Sequence, residues 1–316
     1  MAVYTDIEEN ALKNFLLDYD LGSLISFEGI TEGVENSNYR LVLSSGNYIL
    51  TLFEKRVNSA ELPWFVGYMG HLAKNNISCP LPIKAKDGQA LRQLANRPAL
   101  IVTFLDGQAV KNITEQSCLE LGRALAKLHK AGEGFDSERS NKLGAQGWKA
   151  LLSQCDSHGD QKIEALISQT HCDLEKVLSH WPEPKELPRG QIHADLFPDN
   201  VFFKNESLSG IIDFYFACTD FFAYDIAICI NAWCFENNEH YLPQRTAMIL
   251  QGYEEFRPLS PLERNRLPVL CQGAALRFLL TRLYDWIHTP PGAKVVKKNP
   301  WDYQKRLTYF LEHKSV

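Results

Sequence analysis

The stretch Gln191-Ile-His-Ala-Asp-Leu-Phe-Pro-Asp-Asn-Val201 decides how this 316-residue chain reads. Within it, His193, Asp195 and Asn200 follow the pattern H-x-D-x-x-x-x-N, and Ile-Ile-Asp213-Phe214 comes thirteen residues after Asn200. A carboxylate, then an amide, then a second carboxylate closing an apolar run is a set suited to phosphoryl transfer. The first acid can accept a hydroxyl proton, while the amide oxygen and the second acid offer hard oxygen donors to Mg²⁺. An Asp-rich turn that only caps its own backbone is the plainer reading of any one of these residues. Three of them in order, with an apolar strand before Asp213, favour the chemical reading. Phe202–Phe203 and Ile211–Ile212 flank a polar turn at 204–210. The pattern predicts a hairpin that brings Asn200 close to Asp213.

Working outward, the composition is that of an ordinary globular protein, 45% hydrophobic and 22% charged. The formal net charge is −5 and there is no long basic run, so nucleic acid is not an expected partner. Eight cysteines occur without a Cys-x-x-Cys pair, several of them in apolar surroundings, which predicts reduced thiols in a cytoplasmic protein. The first residues lack a basic segment followed by an apolar one, so no signal peptide is expected. The apolar stretch 214–235 is interrupted by Asp220 and Asp225, so no membrane span is expected.

Apolar spacing predicts a short amphipathic helix over 6–18 and strands over 24–29, 38–43 and 47–54, with a polar loop between the first two. Arg97-Pro-Ala-Leu-Ile-Val-Thr-Phe-Leu-Asp-Gly107 reads as a buried strand. From Thr114 the texture turns helical, with Leu119, Leu121, Leu125 and Leu128 at helical spacing and Gly122 and Ala124 permitting close packing. His129 reads as a packing residue. A helix is expected over 161–178, another starting near Asp225, and another over 271–287. His193 and Asp225 read as supports of the loop rather than reactants.

The set around Asp195 resembles the catalytic loop and metal-binding Asp of protein kinases, with Tyr215 where those carry Gly. The His-Ala-Asp-Leu-Phe-Pro-Asp-Asn version is similar to the aminoglycoside-phosphotransferase-like family of small-molecule kinases, which includes choline kinases. That resemblance implies an α+β, bilobal protein-kinase-like fold. Residues 1–105 would form a small antiparallel-sheet lobe that binds nucleotide, and residues 106–316 a larger, mainly helical lobe for catalysis and acceptor binding. It implies ATP and Mg²⁺, with Asp195 as catalytic base and Asn200 and Asp213 as metal ligands. The loop ending in Asn36, Ser37 and Asn38 would cover the phosphates, and backbone near Thr103 and Leu105 would read adenine. Thr51 stands where such kinases usually carry a cation, with Lys55 and Arg56 just downstream, and Glu61 is the acid that would pair with that cation.

For the acceptor, Asn231, Trp233 and Arg277 are the candidates. Arg277 sits in an apolar helix with no acid three or four residues away; a substrate carboxylate or a long-range ion pair would satisfy it. Residues 226–316 carry twelve Lys and Arg against eight Asp and Glu, although the whole chain is acidic. This favours an acceptor with a carboxylate over a polycation. The segments 33–39, 48–54, 212–218, 231–236 and 275–282 together resemble the homoserine-kinase branch of the family. The resemblance implies ATP-dependent phosphorylation of L-homoserine to O-phospho-L-homoserine, a step of threonine biosynthesis. A kinase of another small hydroxyl acceptor (an amino alcohol, a sugar or an aminoglycoside) and a non-catalytic nucleotide-binding protein remain the alternatives.

Overall fold

The computed structural model describes residues 4–30, 36–54, 58–290, 297–313 and 315–316. The chain divides into two compact units at Asp106 and Gly107.

The first unit is built on a five-stranded antiparallel sheet in the order β1-β2-β3-β5-β4. Helix α1 (Glu9–Leu16) precedes β1 (Leu24–Gly29), β2 (Ser37–Leu43) and β3 (Gly46–Leu52); α2 (Leu62–Lys74) then leads to β4 (Leu91–Leu94) and β5 (Arg97–Thr103). Burial along β2 alternates strictly, because successive side chains of a strand point to opposite faces. Tyr39, Leu41 and Leu43 therefore join Leu50, Leu52, Ala99 and Ile101 on one face, packed with Leu12, Phe15 and Leu16 of α1. The other set of alternating positions includes Asn38 and Arg40, registered opposite Thr51 and Ile49.

The second unit opens with β6 (Gln108–Ala109), α3 (Glu115–Gly132), α4 (Ala145–Leu152) and α5 (Gln161–Leu178). Strand β7 (Arg189–Ile192), the hairpin of β8 (Val201–Lys204) and β9 (Ser207–Ile211), and β10 (Cys218–Phe221) carry the candidate site. The remainder is α6 (Phe222–Trp233), α7 (Pro243–Glu254), α8 (Pro261–His288) and α9 (Pro300–Glu312). Thr114 and Ser117 close a capping box on α3, and Ser260 and Glu263 do the same on α8.

Helices α3 and α7 meet through a pair of glycines. A Cβ on Gly122 would lie 2.1 Å from the carbonyl oxygen of Ile249, and one on Gly252 would lie 2.1 Å from that of Leu119. Only hydrogen fits at either position. Every residue of α6 is buried, so its two polar residues, Asp225 and Asn231, need partners inside the protein. All eight cysteines are unpaired, and six of them are buried. No helix among the described residues is long and apolar enough to cross a membrane.

Candidate active site

Strand β7 pairs with β10 and delivers the chain to His193 at its end. Ala194 follows in the left-handed region, at φ 63°, a conformation that costs a non-glycine residue on the order of 1–2 kcal/mol. The surroundings hold it there. The carboxylate of Asp225 accepts the N–H of His193 at 2.7 Å and that of Ala194 at 2.8 Å. Arg277 donates to the Ala194 carbonyl at 2.5 Å. The Asp195 N–H reaches His193 Nδ1 at 3.3 Å, and the Leu196 carbonyl accepts the Trp233 indole N–H at 2.8 Å. Four consecutive residues thus have their backbone fastened by long-range or side-chain contacts.

The imidazole tautomers follow from what the partners can do. A carbonyl only accepts, so His193 Nε2–H donates to Ile212 O at 2.9 Å and Nδ1 is left to accept. An ionised carboxylate also only accepts, so His129 Nε2–H donates to Asp225 at 3.1 Å, and His129 Nδ1 takes the Tyr253 hydroxyl proton at 2.7 Å. Burial lowers both imidazole pKa values, that of His193 to about 4. Burial also works to raise Asp225, but the His129 and His193 contacts outweigh it and hold the carboxyl below its usual range.

The three chemical residues come together beside this frame. Asn200 closes a 3₁₀ turn, Pro198–Asn200, and its Nδ2 donates to Asp195 O at 2.8 Å and to Asp195 Oδ2 at 3.2 Å. The hairpin of β8 and β9 returns the chain so that Ile212 N–H donates to Asn200 O at 3.0 Å, which sets Asp213 next to the turn. Asp213 also sits at positive φ. Burial raises the pKa of Asp195 well above the usual carboxylate range. Asp213 and Asp199 push it further up, and Arg277 and Lys298 oppose them. Asp213 is itself raised to about 6, by burial first and then by Asp199, while the Tyr215 N–H and Lys298 pull the other way. Two half-buried carboxylates that repel one another mark a place short of positive charge, and hard oxygen donors there suit a divalent cation.

Of the side chains expected at the acceptor, Trp233 and Arg277 brace the loop through its carbonyls. Asn231 is fully buried, its amide donating to Ala227 O and Cys271 O. All three spend these donors on backbone, in place of an exposed surface for a ligand. Apart from Ala227, in the same helix as Asn231, the acceptors lie far along the chain, where local sequence pattern carries no sign of them.

In the first unit, the Ser37 hydroxyl is fully buried. It donates to Glu54 at 2.7 Å and accepts the N–H groups of Tyr4 and Thr5. Glu54 also accepts from Thr5 and from Arg97 Nε at 2.9 Å. Asn36 is buried and accepts the Glu54 N–H at 3.3 Å. At the position of the missing strand cation, Thr51 Oγ1 donates to Asn38 Oδ1 at 2.7 Å, so a partly buried hydroxyl–amide pair stands there. Thr103 gives its N–H to Leu81 O, and Leu105 is half-buried. Glu61 lies at the start of α2, accepting from Asn58 at 3.3 Å. Residues 33–35, Lys55 and Arg56 fall outside the described residues.

Residues 26–259 match the phosphotransferase enzyme family, and the chain belongs to that family. It is an enzyme that transfers phosphoryl groups, on an α+β protein-kinase-like fold. Over its full length it is 55% identical to the homoserine kinase of Gluconobacter oxydans, with 100% of both chains covered. It is 52% identical to the homoserine kinase of Rhizobium meliloti, covering 100% of this chain and 95% of the relative. Among solved structures, the amicoumacin kinase hAmiN in complex with AMP-PNP, Ca²⁺ and Ami is similar at a TM-score of 0.72 and 16% identity, covering 97% and 92% of the two chains. The microcompartment-associated aminopropanol kinase is similar at 0.67 and 19%, covering 96% and 94%. At such identities these structures speak for the fold alone.

Proposed function

We propose that this enzyme phosphorylates the side-chain hydroxyl of L-homoserine from ATP, yielding O-phospho-L-homoserine and ADP, as a cytoplasmic step of threonine biosynthesis. The observation that carries the reading is the convergence of Asp195, Asn200 and Asp213 on one braced turn, in a chain whose full-length relatives are named homoserine kinases.

Asp195 orients the acceptor hydroxyl and takes its proton as the new O–P bond forms. Burial has raised its proton affinity, which suits a base that must hold a proton during transfer. The Asn200 amide, donating to Oδ2, limits the rotation of that carboxylate. Asn200 Oδ1 and Asp213 would hold Mg²⁺, which supplies positive charge to the phosphate oxygens. The acidity around Asp195 and Asp213 fits such an ion. In this reading residues 1–105 bind the nucleotide, with backbone groups of the loop ending in Asn36, Ser37 and Asn38 toward the phosphates, their side chains being engaged within the unit, and Thr103 and Leu105 toward adenine. Residues 106–316 carry catalysis and the acceptor.

The test is ADP release across L-homoserine, choline, a sugar and no acceptor. Turnover with homoserine well above the others is expected. Equal rates with every acceptor would remove homoserine from the proposal, and absence of any ADP release would remove the kinase reading.

A further inference from the structure

Beside Asp195, several cations lie over aromatic rings with few direct carboxylate contacts. Tyr303, on the first turn of α9, is fully buried, and its hydroxyl has no protein hydrogen-bond partner among the described residues. The guanidinium of Arg282 lies 4.4 Å from the centre of its ring and that of Arg306 lies 4.5 Å from it. Burial lifts the Tyr303 phenol above its usual range, while the charges of Arg306, Arg282 and Arg277 act against the lift. The ring also packs 5.2 Å from Phe278 and 6.5 Å from Phe197, two residues beyond Asp195. Lys298 Nζ stands 5.3 Å over the Phe197 ring.

Few of these cations touch a carboxylate directly, although Asp195 acts through space on Arg277, Arg282 and Lys298. Arg277 donates to Ala194 O, Arg306 to Asn231 O and Asn238 Oδ1, and Arg282 to Asn299 O. The nearest carboxylate contact among these bonds is Asp302, at a long 3.5 Å from Arg282. The Nε atoms of Arg277 and Arg306 are buried without a hydrogen-bond partner among the described residues. An aromatic face returns less to a buried cation than desolvation takes from it. An anion entering here would recover the difference.

We propose that Arg282 and Lys298, over the Tyr303 and Phe197 rings beside Asp195, bind a carboxylate carried by the hydroxyl acceptor. Acceptors bearing an acid group are thereby selected over plain amino alcohols. Arg282 presents a planar fork that matches a carboxylate, held at the buried end of the wall. Lys298 is exposed and supplies a second charge from the solvent side. This inference rests on the kinase reading above and adds the residues that choose the substrate.

The test compares L-homoserine with 3-aminopropanol, which is homoserine with hydrogen in place of the carboxylate, using the full chain and ADP release. Lys298→Met and Arg282→Met should each raise the KM for homoserine about 30-fold with little change in kcat. The preference for homoserine over 3-aminopropanol should shrink by the same factor. The KM for ATP should move less than about twofold, and Lys298→Arg should restore most of the preference. A preference that both variants leave intact overturns the proposal, as does a loss that falls on ATP instead. Lys298 is on the surface, so its variant reads the effect even if Arg282→Met folds poorly. Should the wild type ignore homoserine, the homoserine reading fails by itself, and the same ratio is taken for L-serine against ethanolamine. A preference for the acceptor without the acid then overturns this inference as well.

Discussion

Two short segments that bear polar side chains, 36–38 in the first unit and 193–200 in the second, are used in opposite ways. In the first, Ser37 and Asn36 turn inward to Glu54 and the N-terminal strap at Tyr4 and Thr5. Their polarity is consumed in holding the sheet together. In the second, groups from distant elements hold the backbone, and in the proposed reading the carboxylates of Asp195 and Asp213 serve the chemistry. A polar residue in a loop is thus no guide to a ligand until its own hydrogen bonds are accounted for.

The strongest way to break this comparison is Asp195→Asn. If the carboxylate is left for the acceptor, homoserine-dependent ADP release should fall about a thousandfold. The melting temperature should hold or rise, because a repelled acid has been neutralised. A variant that keeps a tenth of the wild-type rate would end the assignment of Asp195 as base.

Asp225→Ala should do the reverse, by stripping two backbone N–H groups and an imidazole of their acceptor. A loss of about 3–5 kcal/mol in urea unfolding is expected. An unchanged urea midpoint would show that the frame does not depend on this carboxylate.

Acid should loosen the same frame. His193 has a folded pKa of about 4 against an unfolded value near 6.5, so between these limits the unfolded chain binds more protons. Stability is therefore full above pH 6.5 and declines as pH falls toward 4, by up to roughly 3 kcal/mol from this group. His129 is shifted in the same direction and adds to the decline. Urea midpoints measured from pH 8 to pH 4 give the slope, and a flat profile would mean that the imidazoles are not buried in the neutral form.

Ser37→Ala sharpens the other side. It should cost about 1–2 kcal/mol of stability and change the KM for ATP less than twofold. A large rise in that KM at unchanged stability would return Ser37 to the nucleotide.

Much of the fold was legible because periodicity is local. The helix expected over 161–178 is Gln161–Leu178, and the strands expected over 24–29, 38–43 and 47–54 are present within two residues at each end. The hairpin between Asn200 and Asp213 was readable from its apolar flanks. Helix α9 was not singled out, although Tyr303, Leu307 and Phe310 follow helical spacing, because charged residues interrupt them in sequence. Within the candidate site, the convergence of Asp195, Asn200 and Asp213 followed from short spacing. Supports drawn from far along the chain were harder to read. Trp233 meets a carbonyl 37 residues away and Arg277 one 83 residues away. Nothing in an apolar helix announces a partner in a distant loop. The cation-rich wall around Tyr303 was hidden for the same reason, since it joins α8, α9 and the residue two places past Asp195.

The crossing of α3 and α7 reaches further than its distance from the chemistry suggests. Gly252 immediately precedes Tyr253, whose hydroxyl meets His129 on the partnering helix, and His129 in turn meets Asp225. A single methyl at either glycine would act as a wedge, prising the phenol from the imidazole and slackening the carboxylate that tethers residues 193 and 194. Two hydrogen atoms at a helix crossing therefore set the tension of the turn that carries Asp195.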